Sequence, residues 1–347
     1  MTRVALDAMG GDNAPGEIVR GAVEAAVGLE DIKVILVGKQ DLIDAELAKY
    51  PKEVEKARKR GTLEVVPASE VLEMDDEPAK SVRAKKDCSI NVAMRLVKEG
   101  KADAFVSAGN SGAVSASAIF NLGRIRGVHR PAIAAILPTR RPIRPLLLLD
   151  AGANMDCHPD WLVQFSIMGS AYSKAVLKRT KPLVGLLSIG TEDCKGNEMT
   201  KETFSLLKEV KSIDFRGNVE GHDIFQGQTD VIVCDGFVGN AVLKTAESLI
   251  HAISYFLKKE CFKGISRIMG TMLLKGAFKS LKQQLDPDIY GGAPLLGVSG
   301  AVIISHGSSK HKAIYHAVRV GANAARNDVT GQIAQMIEDY EASRKTL

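Results

Sequence analysis

The chain has 347 residues, 45% hydrophobic but only 5% aromatic, with a formal net charge of +5. That length allows roughly two average domains or one large α/β sheet, and the aliphatic bias suits a parallel-sheet core of Val, Ile, Leu and Ala. The five cysteines are scattered and include no CxxC pair, which speaks against a disulfide framework or structural zinc and for a reduced, cytoplasmic setting. No stretch approaches the ~18 apolar residues of a membrane span, and Met1-Thr2-Arg3 leads into a strand bearing Asp7 where a signal peptide would be apolar.

Val4 to Asp7 reads as a strand entering the loop Met9-Gly10-Gly11-Asp12-Asn13-Ala14-Pro15. A helix over 16–27, a strand over 32–37, one amphipathic helix over 41–59 and a strand over 63–66 follow. The acidic turn at 74–78 opens a basic helix through Arg83, Lys85 and Lys86, and a helix over 89–98 closes at Gly100. Phe105 begins a strand that ends in Ser107-Ala108-Gly109-Asn110-Ser111-Gly112. Between the apolar strand 132–137 and the leucine run 146–149 lie eight residues, three of them proline. That is too short for a crossover helix, so these two strands are expected to be antiparallel in a mixed sheet.

Leu146 to Leu149 run into Asp150-Ala151-Gly152-Ala153-Asn154-Met155-Asp156, and Pro159 suits the first position of a helix whose Trp161, Phe165, Met168 and Tyr172 make one packed stripe. The same grammar recurs where 184–189 leads to Lys195-Gly196-Asn197 and 231–234 leads to Asp235-Gly236-Phe237-Val238-Gly239-Asn240. Helices are then predicted over 241–259 and 266–284, and 248–285 holds seven basic residues against Glu260 alone. Strands over 294–298 and 301–304, the loop Ser305-His306-Gly307-Ser308-Ser309 and a helix over 312–344 complete the chain. Without a linker or low-complexity stretch, one α/β domain over 1–347 is expected, with a helical projection over 246–286.

Glycine lets a backbone approach an oxyanion, and Asn or Ser supplies donors that need not titrate. Asn110, Ser111, Gly112, Asn154, Asn197 and Asn240 are therefore candidate phosphate binders, with Lys195 and Lys244 as nearby charges. Turn formation alone would explain any one of these loops; several together point to an anion site where the strand ends converge on one edge of the sheet. Cys157, Cys194 and Cys234 read as ordinary small residues and His306 as a loop donor to substrate. The scattered aspartates, with no HExxH or clustered histidines, give no catalytic zinc, while spacing leaves magnesium open. No GxGxxG supports a dinucleotide, and no cofactor is expected.

Six stretches carry a specific resemblance: LDAMGGDNAP at 6–15, MDDEPAKSVRAKKD at 74–87, ADAFVSAGNSGA at 102–113, LDAGANMDCHPDWLVQFSIMG at 149–169, GNVEGHDIFQGQTDVIVCDGFVGNAVLK at 217–244 and GAPLLGVSG at 292–300. In this order they resemble the PlsX family of phosphate acyltransferases, the fatty acyl phosphate synthases. Asn13 stands where that family's pattern has His, and Ser111 where Thr is common. The resemblance implies a three-layer α/β/α sandwich with a mostly parallel mixed sheet, like isocitrate dehydrogenases and phosphotransacetylases. It also implies transfer of a long-chain acyl group from acyl carrier protein to inorganic phosphate, for phospholipid synthesis, by a homodimer held peripherally on the cytoplasmic membrane. No nucleic-acid partner is expected.

On that chemistry, Asn110, Ser111, Asn154 and Lys195 are expected to hold phosphate, Lys244 or loop N–H groups to face the thioester oxygen, and Asp150, Asp156 and Asp235 to orient them. Lys258, Lys259, Lys263, Arg267 and Lys275 are the expected contacts to anionic lipid or acidic carrier protein. The alternatives are a coenzyme A-dependent phosphotransacetylase and a non-catalytic, membrane-associated ligand-binding protein.

Overall fold

Short aliphatic runs stopped by Gly, Pro or Asp form β1 (Thr2–Asp7), β2 (Ile32–Gly38), β3 (Leu63–Pro67), β4 (Ala104–Ser107), β5 (Ala132–Leu137), β6 (Leu146–Leu149), β7 (Leu183–Leu187), β8 (Asp214–Val219), β9 (Val231–Val233), β10 (Ala293–Leu296) and β11 (Ala301–Ile304). A computed structural model describes residues 1–285 and 287–344. Among these residues the strands form one sheet ordered β3-β2-β1-β4-β11-β10-β5-β6-β9-β7-β8.

Strands β1 to β4 and β11 run parallel. β10 is antiparallel to both β11 and β5, and β5 is antiparallel to β6, as the proline-rich link requires. β6, β9, β7 and β8 are parallel to one another. Three reversals in a row, from β11 through β10 and β5 to β6, leave the β6–β9 group pointing opposite to β1, β4 and β11. The expectation that all the Asn-bearing loops share one rim is therefore corrected. Asn154, Asn197 and Asn240 follow strands that end at the edge opposite the one carrying Asn110 and His306.

The helices are α1 (Gly16–Gly28), α2 (Gln40–Leu47), α3 (Pro51–Lys59), α4 (Pro78–Ala84), α5 (Ser89–Lys98), α6 (Ser111–Asn121), α7 (Pro159–Ala175), α8 (Glu198–Lys208), α9 (Gly236–Cys261), α10 (Ile265–Leu273), α11 (Lys275–Leu285), α12 (His311–Arg326) and α13 (Val329–Arg344). They cover both faces because each strand alternates its side chains. Leu147 and Leu149 enter the core with Phe165, Met168 and Tyr172 of α7, whereas Leu146 and Leu148 pack with Ile232 and, on α9, Val242 and Leu243. Val4 and Leu6 face α1 and α12, and Ala5 and Phe105 face α5 and α6. The four leucines of β6 are essentially inaccessible to solvent, about 1.5–3 kcal/mol each relative to exposure.

Three predicted helices are each two. Pro51 starts α3 and forces Tyr50 out of helical geometry (φ −127°, ψ 52°), so 41–59 is broken. The 266–284 stretch divides at Leu274, and 312–344 divides at Asp328, which sits at φ 46°. β8 and α8 have no counterpart in the sequence reading. Asp286, the end of the expected projection, lies outside the described residues.

Candidate active site

Asp7 ends β1 fully buried, and its carboxylate accepts from the Ser107 hydroxyl (2.7 Å) and the Met9 N–H (3.1 Å). Burial pushes this carboxyl above its ordinary range, while hydrogen bonds from Ser89, Ser107, Met9 and Gly10 act against the rise. The Ser107 hydroxyl also accepts from the Gly109 N–H (2.9 Å). The loops after β1 and β4 press together here, since a Cβ on Gly10 would lie 2.7 Å from the Gly109 nitrogen. The loop after β11 joins them through Asp12 N–H to Gly307 O (2.8 Å) and Ser305 N–H to Ser107 O (2.8 Å).

Asn110 caps α6. Its Oδ1 accepts from Ala113 N–H (3.1 Å) and its Nδ2 donates to Met74 O (2.8 Å), so this side chain holds loops in place and is not a spare donor. Ser111 and Gly112 stand exposed at the helix start, where the first N–H groups have no partner within the helix.

At the opposite edge, Asp150 plays the part that Asp7 plays. Its two oxygens take the N–H groups of Ile133 (3.0 Å), Gly152 (3.2 Å), Ala153 (3.0 Å) and Asn154 (2.7 Å), plus Asn154 Nδ2 (2.8 Å). Burial pushes the carboxyl up and these donors pull it down. With five donors aimed at it, the site is built for the carboxylate. The second bond of Asn154 Nδ2 goes to Pro131 O (2.8 Å), so this amide too is committed to structure. Asp235 caps α9 by accepting from Val238 N–H (2.9 Å), and Gly236 N–H donates to Asn154 O (2.7 Å). Asn240 lies against Gly152 on the exposed first turns of α9, and Asp156 is exposed.

Burial raises the Cys157 thiol to about 12 and also pushes Cys234 well up, which disfavours the thiolate at both.

The loop after β7 forms a third group. Asn197 caps α8 by accepting from Thr200 N–H (2.9 Å), and Lys195 is half-exposed with Glu192 at 4.0 Å. Its neighbours bond to Asn218, Val219 and Lys208. Among the described residues, no hydrogen bond or ion pair joins Lys195 or Asn197 to the other two groups.

Helix α9 connects the first two groups. It begins beside Asp150 and runs back against its parent strand, and by Lys244, about 12 Å along the axis, it has reached the far loop. Lys244 Nζ lies 3.3 Å from His306 Nε2 and 3.2 Å from Glu247. The structure thus unites Lys244 with His306 at the same rim of the sheet as Ser111 and Gly112, and Asp150 with Asn154, Asp235 and Asn240 at the other. Asp7, among the aspartates noted in the sequence but not named a site residue, shows the same signal as Asp150, a carboxylate ending an apolar strand, and Ser107 at the end of β4 holds it.

Beyond Lys244, α9 to α11 expose Ile253, Phe256, Phe262, Ile265, Met272 and Leu273. Lys258, Lys259, Lys263, Arg267 and Lys275 are exposed on the same elements, with Glu260 paired to Lys263 and Arg267. Among the described residues no helix is long and apolar enough to cross a membrane, and no three His, Cys, Asp or Glu side chains gather as metal ligands.

Two solved structures share the fold. The EutD phosphotransacetylase from Staphylococcus aureus superposes with a TM-score of 0.61 at 15% identity, over 93% of this chain and 94% of that one. A phosphotransacetylase from Streptococcus pyogenes gives 0.61 at 16% over 94% of each. These show the α/β/α sandwich. Among relatives named phosphate acyltransferase, that of Nostoc punctiforme is 49% identical over 98% of both chains. That of Halothermothrix orenii is 48% identical over 96% of this chain and 98% of its own. The profile of the family described as "Fatty acid synthesis protein" matches residues 2–332. With nearly its whole length matched in this way, the chain belongs to that family, the PlsX-type phosphate acyltransferases, and is an enzyme of the acyltransferase class.

Proposed function

We propose that the enzyme transfers a long-chain acyl group from acyl carrier protein to inorganic phosphate, supplying acyl phosphate for phospholipid synthesis. The observation that carries this reading is the pairing of Lys244 with His306 at the rim of the sheet where β4 ends and α6 starts, which brings donors and positive charge to one edge for an oxyanion. A phosphate oxygen attacks the thioester carbonyl, the C–S bond breaks, and the proton carried by hydrogen phosphate leaves with the departing thiol. Atoms and charge balance without a cofactor, so the protein's task is positioning and oxyanion stabilisation. Asp150 and Asp235 orient the loops around α9, whereas Lys195 and Asn197 form a separate group in the loop after β7, at the edge opposite His306. Asn240 and Asp156 stand exposed on the Asp150 side of the sheet.

The apolar and basic surface of α9 to α11 supports attachment to an anionic bilayer at the cytoplasmic face and pairing of two copies, with the acyl chain sheltered between them. Incubating the protein with palmitoyl carrier protein and phosphate should yield acyl phosphate. Activity confined to acetyl-coenzyme A would favour the short-chain phosphotransacetylase instead, and no product from either donor would favour a non-catalytic binding protein.

A further inference from the structure

We infer that Ser308 is a positioning residue that keeps the His306 proton on Nε2, so that His306 serves as a hydrogen-bond donor to the substrate oxyanion and not as a base. This rests on the acyl-transfer reading above and deepens it. The Ser308 backbone N–H donates to His306 Nδ1 at 3.2 Å, and the Ser308 hydroxyl lies 2.7 Å from the same nitrogen. A ring nitrogen that accepts a backbone N–H carries no proton of its own, so in the neutral ring the proton sits on Nε2.

Nε2 is the atom facing Lys244 Nζ at 3.3 Å. An ammonium has three donors and no acceptor, and this one already leans on Glu247 at 3.2 Å. Two donors therefore confront one another, and neither can satisfy the other. A third group bearing lone pairs completes the arrangement, and an oxygen of phosphate or of the tetrahedral intermediate has the required chemistry.

The loop is held tightly enough for the tautomer to persist. Ser309 N–H closes a turn onto His306 O (2.9 Å), Asp12 N–H holds Gly307 O (2.8 Å), and Asn13 Nδ2 holds Ser308 O (3.1 Å). Asn13, where the family's pattern has His, thus supports the loop from the end of β1, two strands away in the sheet.

The test has two arms. Two-bond 1H–15N spectra of histidine-labelled protein, with the His306 signal assigned by its loss in His306→Gln, should show the proton on Nε2 with or without inorganic phosphate. A proton on Nδ1 overturns the inference, and so does a Ser308→Pro protein, which lacks the N–H that meets Nδ1, if its His306 proton stays wholly on Nε2. In kinetics with acyl carrier protein, His306→Ala should raise the phosphate KM about 10- to 100-fold, the value of one hydrogen bond to a charged group. His306→Gln, whose amide N–H can stand near the Nε2 position, should recover most of that loss without altering the pH profile. A Gln variant as impaired as Ala would mean that proton transfer is needed, and would overturn the donor role. Wild-type protein that forms no acyl phosphate defeats the proposed function, whereas the spectra still decide where the ring proton sits.

Discussion

Asp150→Asn probes whether the buried carboxylate at the end of β6 builds the loop that receives α9. One oxygen takes three N–H groups and the other takes both the backbone and side-chain nitrogens of Asn154. An amide in its place keeps one acceptor and turns an NH2 toward two donors. Two bonds to a charged acceptor, at about 1.5–3 kcal/mol each, are lost. Because Asn154 is only half-buried and water can replace part of the loss, the lower end applies, about 3 kcal/mol. Against a total stability of roughly 5–15 kcal/mol this is readily measured as a lower urea midpoint with unchanged m. The phosphate KM should rise in parallel as Asn154 and the start of α9 loosen. A loss below about 1 kcal/mol, with KM unaltered, would refute the reasoning.

Gly239→Ala should be as damaging for a steric reason: the new Cβ would lie 1.8 Å from the Asp150 carbonyl oxygen, and backbone cannot turn aside as a side chain can. A cost of about 3 kcal/mol or more is expected in the same denaturation assay. Asp103 is held below its ordinary value of 3.8, first by its hydrogen bond with Arg3. A depressed folded value means that its stabilisation is complete above the unfolded value and lost as pH falls through the folded one. Asp103→Asn should therefore lower stability at neutral pH and flatten the stability curve below about pH 4, measured by denaturation across pH. Reversing charge at Lys258, Lys259 and Lys263 should release the protein from anionic vesicles while sparing activity on soluble acyl carrier protein. Vesicle binding insensitive to those changes and to salt would count against an electrostatic contact.

Much of this architecture could be read from local pattern. The leucine run of β6, Pro159 at the start of α7 and the antiparallel pairing across the proline-rich link all follow from a few adjacent residues. What escaped was non-local. The direction of β6 relative to β4 depends on where β10 inserts, about 150 residues later in the chain, and no neighbouring residue announces it. The short β5–β6 link already implied one reversal, yet without β10 between β11 and β5 its effect on the loops could not be worked out. Asn110 and Asn154 have the right chemistry for phosphate, but capping and loop closure use the same donors and acceptors, and only coordinates show that Met74 and Pro131 have taken them.

Because α9 is a single rod, its two ends are mechanically tied. From Lys244 to Cys261 it extends about 25 Å, so a tilt of roughly 2° about the outer end carries the lysine nearly an ångström away from His306. Whatever grips the far end, bilayer or second subunit, therefore holds a lever on the spacing of the two donors.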